Sequence, residues 1–270
     1  MPETFASVPI AFVFLGTLLL SGLAVEFGFR RGRHRQARAS DADDREKEAP
    51  VGAMVGTTLG LLGFLLAFTF SIAADAFHER KLAQLHEADS IESVFHQSRI
   101  VPDPHGEEIR GLLREYVDSR LKWTGDLPDA RVRPAETLLQ ELWALGLEYA
   151  DADRSDVSAL FLQEVDDLAR AREERVLLRE HSRIPGAYWF VLGTIALLSF
   201  AAMGYHGGVA GTTRSPVMAA VVVTFSLVIG LIADIDRPGE GWIDVRQDSM
   251  LEVRAMILRE QASCSGCGDR

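Results

Sequence analysis

The apolar residues of this chain are gathered into four blocks, Val8 to Phe29, Val51 to Phe77, Gly186 to Met203 and Pro216 to Ala233. Each comes close to the roughly 20 residues that a helix needs to cross the hydrocarbon core of a bilayer. No sustained period-two alternation competes with a helical reading. The expectation is therefore an all-α integral membrane protein with four transmembrane helices and the lipid bilayer as its first partner. The first block has no basic residue before it and arginines after it, where a signal peptide would have small residues for cleavage, so it is expected to stay attached.

The polar remainder narrows the function classes. A formal net charge of -11, with arginines interleaved among carboxylates, leaves no electrostatic footprint for nucleic acid. The two cysteines, Cys264 and Cys267, form a lone CxxC pair in a glycine-rich tail. With no second pair and no βαβ context, a tail is the better reading than a metal or redox site.

Four segments follow. Residues 1–77 form a first transmembrane hairpin, with spans at about 8–29 and 51–77 joined by a basic loop at 30–50. Residues 78–183 form a helical extramembrane domain. Residues 184–234 form a second hairpin with spans at about 186–203 and 216–233, and 235–270 is a tail with a short amphipathic helix. The loop carries Arg30, Arg31, Arg33, Arg35 and Arg38, a density that favours a cytoplasmic loop. Arg80, Lys81, Arg172, Arg175, Arg179 and Arg183, beside spans two and three on the other side, count the opposite way.

Within the middle segment, Ile109, Leu112, Leu113, Tyr116 and Val117 recur on one helical face, with Asp103 as a cap and Pro104 at the first helical position. A second helix starts near Pro134 and aligns Leu138, Leu142, Leu145 and Tyr149. A third starts at Ser155 or Asp156 and carries Val157, Leu160, Phe161, Val165 and Leu168. The stretch "GYHGGVAGTTRSP" reads as a glycine-rich turn between the last two spans. Met250, Leu251, Val253 and Ile257 give the tail helix a docking face.

Span two holds the most information. At about 100° per residue, Gly56, Gly60, Gly63, Ala67, Ser71 and Ala74 form one narrow stripe, which Gly52 extends by a turn. Small residues in that pattern let helix backbones approach closely. Beside the stripe lie Phe64, Phe68 and Ile72, with Asp75 at the membrane boundary. Such rings could form the constriction of a pore with Asp75 at its mouth. The alternative is that the rings face lipid or a neighbouring helix and Asp75 marks the water interface.

Past the span, His78, Glu79, Lys81, His86, Glu87 and Asp89 share a helical stretch. They read as a solvated, salt-bridged face, although His78, His86 and Glu87 could serve a metal-dependent enzyme. No serine has a paired His and Asp, no glycine-rich phosphate loop follows a strand, and HExxH does not occur. The expectation is no enzyme, no metal and no cofactor.

Three stretches together, "VGTTLGLLGFLLAFTFSIAADAFHERKLAQLHEADSIESVF", "VPDPHGEEIRGLLREYVDSRL" and "ADIDRPGEGWIDVRQDSM", resemble a bacterial four-pass membrane family of unknown function that is often labelled bestrophin-like. The similarity covers nearly the whole chain. By position, family-motif residues of unassigned role correspond to Arg80, Lys81, Glu87, Asp89, Asp234, Asp236, Arg237, Pro238 and Gly241. Asp89 replaces the usual asparagine, and Gly239 stands where many relatives carry a larger residue. The label implies a ring of subunits, usually five, with the second span lining an anion-conducting neck and the middle domain in the cytoplasm. No match to the calcium clasp of animal bestrophins is evident.

Two functions are thus expected from different classes. One is a homo-oligomeric ion channel of the inner membrane, conducting small ions along an axis lined by span two. The other is a non-conducting membrane scaffold or sensor that docks partners through its middle helices and tail.

Overall fold

A computed structural model describes residues 9–38, 45–122, 134–212, 215–237, 243 and 246–265. Its elements are α1 (Ile10–Gln36), α2 (Arg45–Gln97), α3 (His105–Lys122), α4 (Ala135–Ala152), α5 (Asp156–His181), α6 (Gly186–Val209), α7 (Pro216–Ile235) and α8 (Asp248–Ser265). The fold is all-α. Four of these helices, α1, α2, α6 and α7, have the length and composition to cross a membrane.

The helices fall into two compact units. One comprises Met1–Phe77 with Arg183–Asp244, the other His78–Ser182 with Val245–Arg270. The helix α2 contributes to both. Its 53 residues rise about 80 Å at roughly 1.5 Å each, well beyond the roughly 30 Å of a bilayer core.

The membrane-type unit is built on a close approach of α1 and α6. A β-carbon on Gly28 would overlap the Ala201 carbonyl oxygen, and one on Gly32 that of Tyr205; Gly204 and Gly208 have the same relation to Val25 and Phe29. Both helices therefore carry glycines four residues apart on the contacting face, the spacing that brings two helix backbones together where lipid supplies no hydrophobic drive. This corrects the reading of "GYHGGVAGTTRSP" as a turn throughout. The helix α6 runs on to Val209 because its glycines pack on α1, and the chain turns only afterwards, with Gly211 at φ +66°. Around this seam Val55, Leu62, Leu66 and Ala73 of α2 join Leu192, Phe200, Val222, Ile229 and Ile232 in one apolar core.

The second unit has its own core. Ile91, Val94 and Phe95 of α2 meet Ile109, Leu113 and Val117 of α3, Leu138 and Leu142 of α4, Phe161, Val165 and Leu168 of α5, and Met250, Val253 and Ile257 of α8. Ser155 caps α5 by accepting from the Ser158 N–H. The helix α3 begins at His105, and the Asp103 carboxylate accepts from Arg110 at 3.0 Å. Three residues of the expected apolar faces, Val157, Leu160 and Leu251, are exposed instead. The first two lie within the first five residues of α5, ahead of Phe161, Val165 and Leu168, which are buried.

Candidate functional site

Within the membrane-type part of α2, the face turned into the chain's own core is Val55, Leu62, Leu66, Thr69 and Ala73. The stripe Gly56, Gly60, Gly63, Ala67 and Ser71 lies about a third of a turn away from it at about 100° per residue. Added β-carbons at Gly56, Gly60 and Gly63 would meet nothing within 4 Å. Gly56, Gly60, Ala67 and Ser71 are exposed, and Gly63 is half-buried. Gly52 differs, because a β-carbon there would stand 2.7 Å from His206 Nε2 of α6. Phe64 and Phe68 are 67% and 61% exposed, and Ile72 and Asp75 are exposed beside them. The chain thus presents small residues and rings on adjacent strips, and the described residues fill neither strip.

The residues matching the family motif separate into buried and exposed sets. Glu87 is fully buried and is held on three sides. The Tyr116 hydroxyl donates to its Oε1 at 2.6 Å, Arg120 donates from Nε and Nη2 at 3.1–3.3 Å, and Arg175 Nε forms an ion pair with Oε2 at 2.7 Å. Burial, followed by the neighbouring carboxylate, pushes the Tyr116 phenol well above its ordinary value. Burial also lowers the Arg175 guanidinium, against the pull of Glu87. One carboxylate therefore ties α2, α3 and α5 together, and a charge this deep persists only when paired and hydrogen-bonded.

Two turns nearer the span, buried Arg80 donates from Nη1 to Ser182 Oγ at 3.2 Å. Lys81 and Asp89 are exposed. His86 is also exposed and lies 3.5 Å from Glu174, while the Glu87 carboxylate is taken up by its arginines. Among the described residues no three His, Cys, Asp or Glu side chains converge to hold a metal ion.

At the end of α7, Asp234 and Asp236 are both buried. Asp236 accepts from the Ile184 N–H at 2.8 Å, and Asp234 from the Ile243 N–H at 2.9 Å. The first bond fastens the close of α7 to the approach to α6. The second fastens the segment that follows α7. Arg237 is half-buried. Pro238 and Gly241 lie outside the described residues.

The partners of Glu87 are the residues that sequence reasoning missed. A signal existed for each. Arg120 follows Tyr116 by four residues on the apolar face of α3, and Arg175 follows Leu168 by seven on that of α5. A charge set where an apolar stripe demands burial announces a buried counter-charge, although not which one.

A family model described as the bestrophin-like domain matches residues 18–250. Among curated protein sequences no match is found. Several solved structures of point-substituted forms of a bacterial bestrophin homologue from Klebsiella pneumoniae share the fold. One matches with a TM-score of 0.62 at 17% identity, covering 94% of this chain and 99% of its own. A second matches with a TM-score of 0.64 at 18% identity, covering 93% and 98%. A third has a TM-score of 0.60 at 19% identity, covering 92% and 99%. At these identities the structures establish the fold, and the family model establishes membership: this four-span membrane protein belongs to the bestrophin-like family.

Proposed function

We propose that the chain is one subunit of a homo-oligomeric ion channel of the inner membrane, with α2 of each copy lining the axis. The observation that supports this reading is the outward face of α2. Phe64, Phe68 and Ile72 stand next to a stripe of small residues, and the described residues cover neither strip. In a ring of copies the small residues let a neighbouring helix come close. The rings then narrow the axis into an apolar neck that controls its own wetting, and Asp75 sits at one mouth. The family of the chain supports anions as the conducted species and five as the number of subunits.

The test is halide flux from proteoliposomes that carry either the wild type or Phe68→Ala, with equal insertion checked in both. Removing a ring from the neck should widen it and ease its wetting, so flux through the variant should exceed that of the wild type. Silence in both would overturn the channel reading and leave the four spans as an anchor for a docking domain.

A further inference from the structure

We infer that the end of α1 binds an anionic phospholipid, with its acyl chain along the exposed apolar strip of that helix and its phosphate at the arginines one turn beyond. Leu20, Leu23 and Phe27 are 56%, 65% and 59% exposed. At about 100° per residue, Arg31 and His34 continue the same strip, with Arg35 at its edge. Gly28 and Gly32 fix a neighbouring face of α1 against α6, about 100° round from Phe27 and Arg31, and the strip itself stays exposed. It is an apolar ridge that ends in a cationic head, the complement of a lipid tail that ends in a phosphate.

The lengths agree. Half of a bilayer core is about 15 Å, which ten helical residues span at roughly 1.5 Å each. Counted back from Phe27, that reaches Thr17, so Leu20, Leu23 and Phe27 all lie within one leaflet's depth of one another, with Arg31 one turn beyond. The charges are also held in place. The Arg31 guanidinium lies over the Phe27 ring at 5.2 Å, and Arg35 Nη1 donates to the Tyr205 hydroxyl of α6 at 3.0 Å. Arg30 pairs with Glu26, the one carboxylate within α1, at 2.7 Å. A basic cluster directly beyond a span attracts anionic headgroups, by about fivefold in affinity for each arginine near the surface. Here one arginine is stacked and one hydrogen-bonded, so less side-chain freedom is lost on binding than for arginines free in water.

The experiment uses the full chain in neutral phosphatidylcholine nanodiscs. Spin-labelled phosphatidylglycerol and phosphatidylcholine are compared by the fraction of motionally restricted lipid, for the wild type, R31Q/R35Q and R31K/R35K. The wild type should prefer phosphatidylglycerol by up to about 25-fold, about fivefold for each of the two arginines. R31Q/R35Q should remove most of that preference, and R31K/R35K should retain most of it, with thermal unfolding in the neutral lipid equal for all three. No preference in the wild type, or an undiminished preference in R31Q/R35Q, would overturn the site. Displacement of the restricted lipid by millimolar inorganic phosphate would overturn the lipid assignment in favour of a free-anion site.

Discussion

Glu87 shows how one residue can hold a unit together and how little of that is visible from its neighbours in sequence. Glu87→Gln keeps the shape but removes the charge, which leaves Arg120 and Arg175 buried without a counter-ion. Breaking a buried pair in this way costs about 3–5 kcal/mol, so the midpoint of thermal unfolding in detergent should fall by many degrees. Tyr116 supplies a second test through pH. Its phenol is held well above the ordinary value of 10.0 by burial first and by Glu87 second. The folded chain keeps that proton where the unfolded chain has released it. The resulting stabilisation is complete below about pH 10 and is lost as pH rises beyond it. Tyr116→Phe should unfold at a lower temperature at pH 8, since it gives up a hydrogen bond to a buried carboxylate, and should lose less of that stability than the wild type between pH 9 and 11. Equal slopes for both proteins would mean that Tyr116 does not report on this cluster.

At the scale of elements, two sets of small residues on spans play different parts. Those of α1 and α6 touch within the chain, whereas on α2 Gly52 alone meets a neighbour, His206, and Gly56, Gly60 and Gly63 face open space. Gly28→Ala would press a methyl group into the backbone of α6, which has no rotamer with which to yield, so a destabilisation of at least about 1–3 kcal/mol is expected. Gly60→Ala meets open space in the single chain. It should leave the unfolding of detergent-separated monomers unchanged and weaken only the assembly, as read from the detergent concentration at which the oligomer separates. The contrast also shows what the sequence discloses. The four spans were legible because their length is set by the bilayer, and the helices of the second unit because their apolar residues keep a 3.6-residue period. Periodicity finds a face and is silent about its partner. It therefore marks a stripe on α2 but missed the Gly28 and Gly204 seam, since Gly28 is a lone glycine near the end of the first span and Gly204 lies in a glycine-rich stretch that reads as a turn. For the same reason Glu87 was grouped with His86 and Asp89 by proximity along one helix. Its true neighbours, Arg120 and Arg175, are 33 residues away on α3 and on the more distant α5.

For the whole molecule, the decisive question is which side of α2 meets water and which meets another copy. The buried seam, the small-residue stripe and the rings occupy three sectors of one helix, so three single cysteines can interrogate it after Cys264 and Cys267 are replaced by serine. A disulfide needs Cα atoms within about 7 Å of one another. Where α2 helices of neighbouring copies pack through their small residues, their backbones can come that near. Gly60→Cys is therefore expected to give disulfide-linked dimers on mild oxidation in the membrane. Leu62, fully buried in the chain's own core, should give none as Leu62→Cys. The rings make a different prediction, since a neck side chain must be reachable from water. Phe68→Cys should react with a charged, membrane-impermeant thiosulfonate, and the attached group should change halide flux by blocking the axis or by wetting it. Reaction without any change in flux would make the ring sector a water-facing surface off the conduction path. Failure of Phe68→Cys to react while Gly60→Cys still crosslinks would retain the oligomer but turn the rings towards lipid, and the axis would then have to be lined by another face of α2.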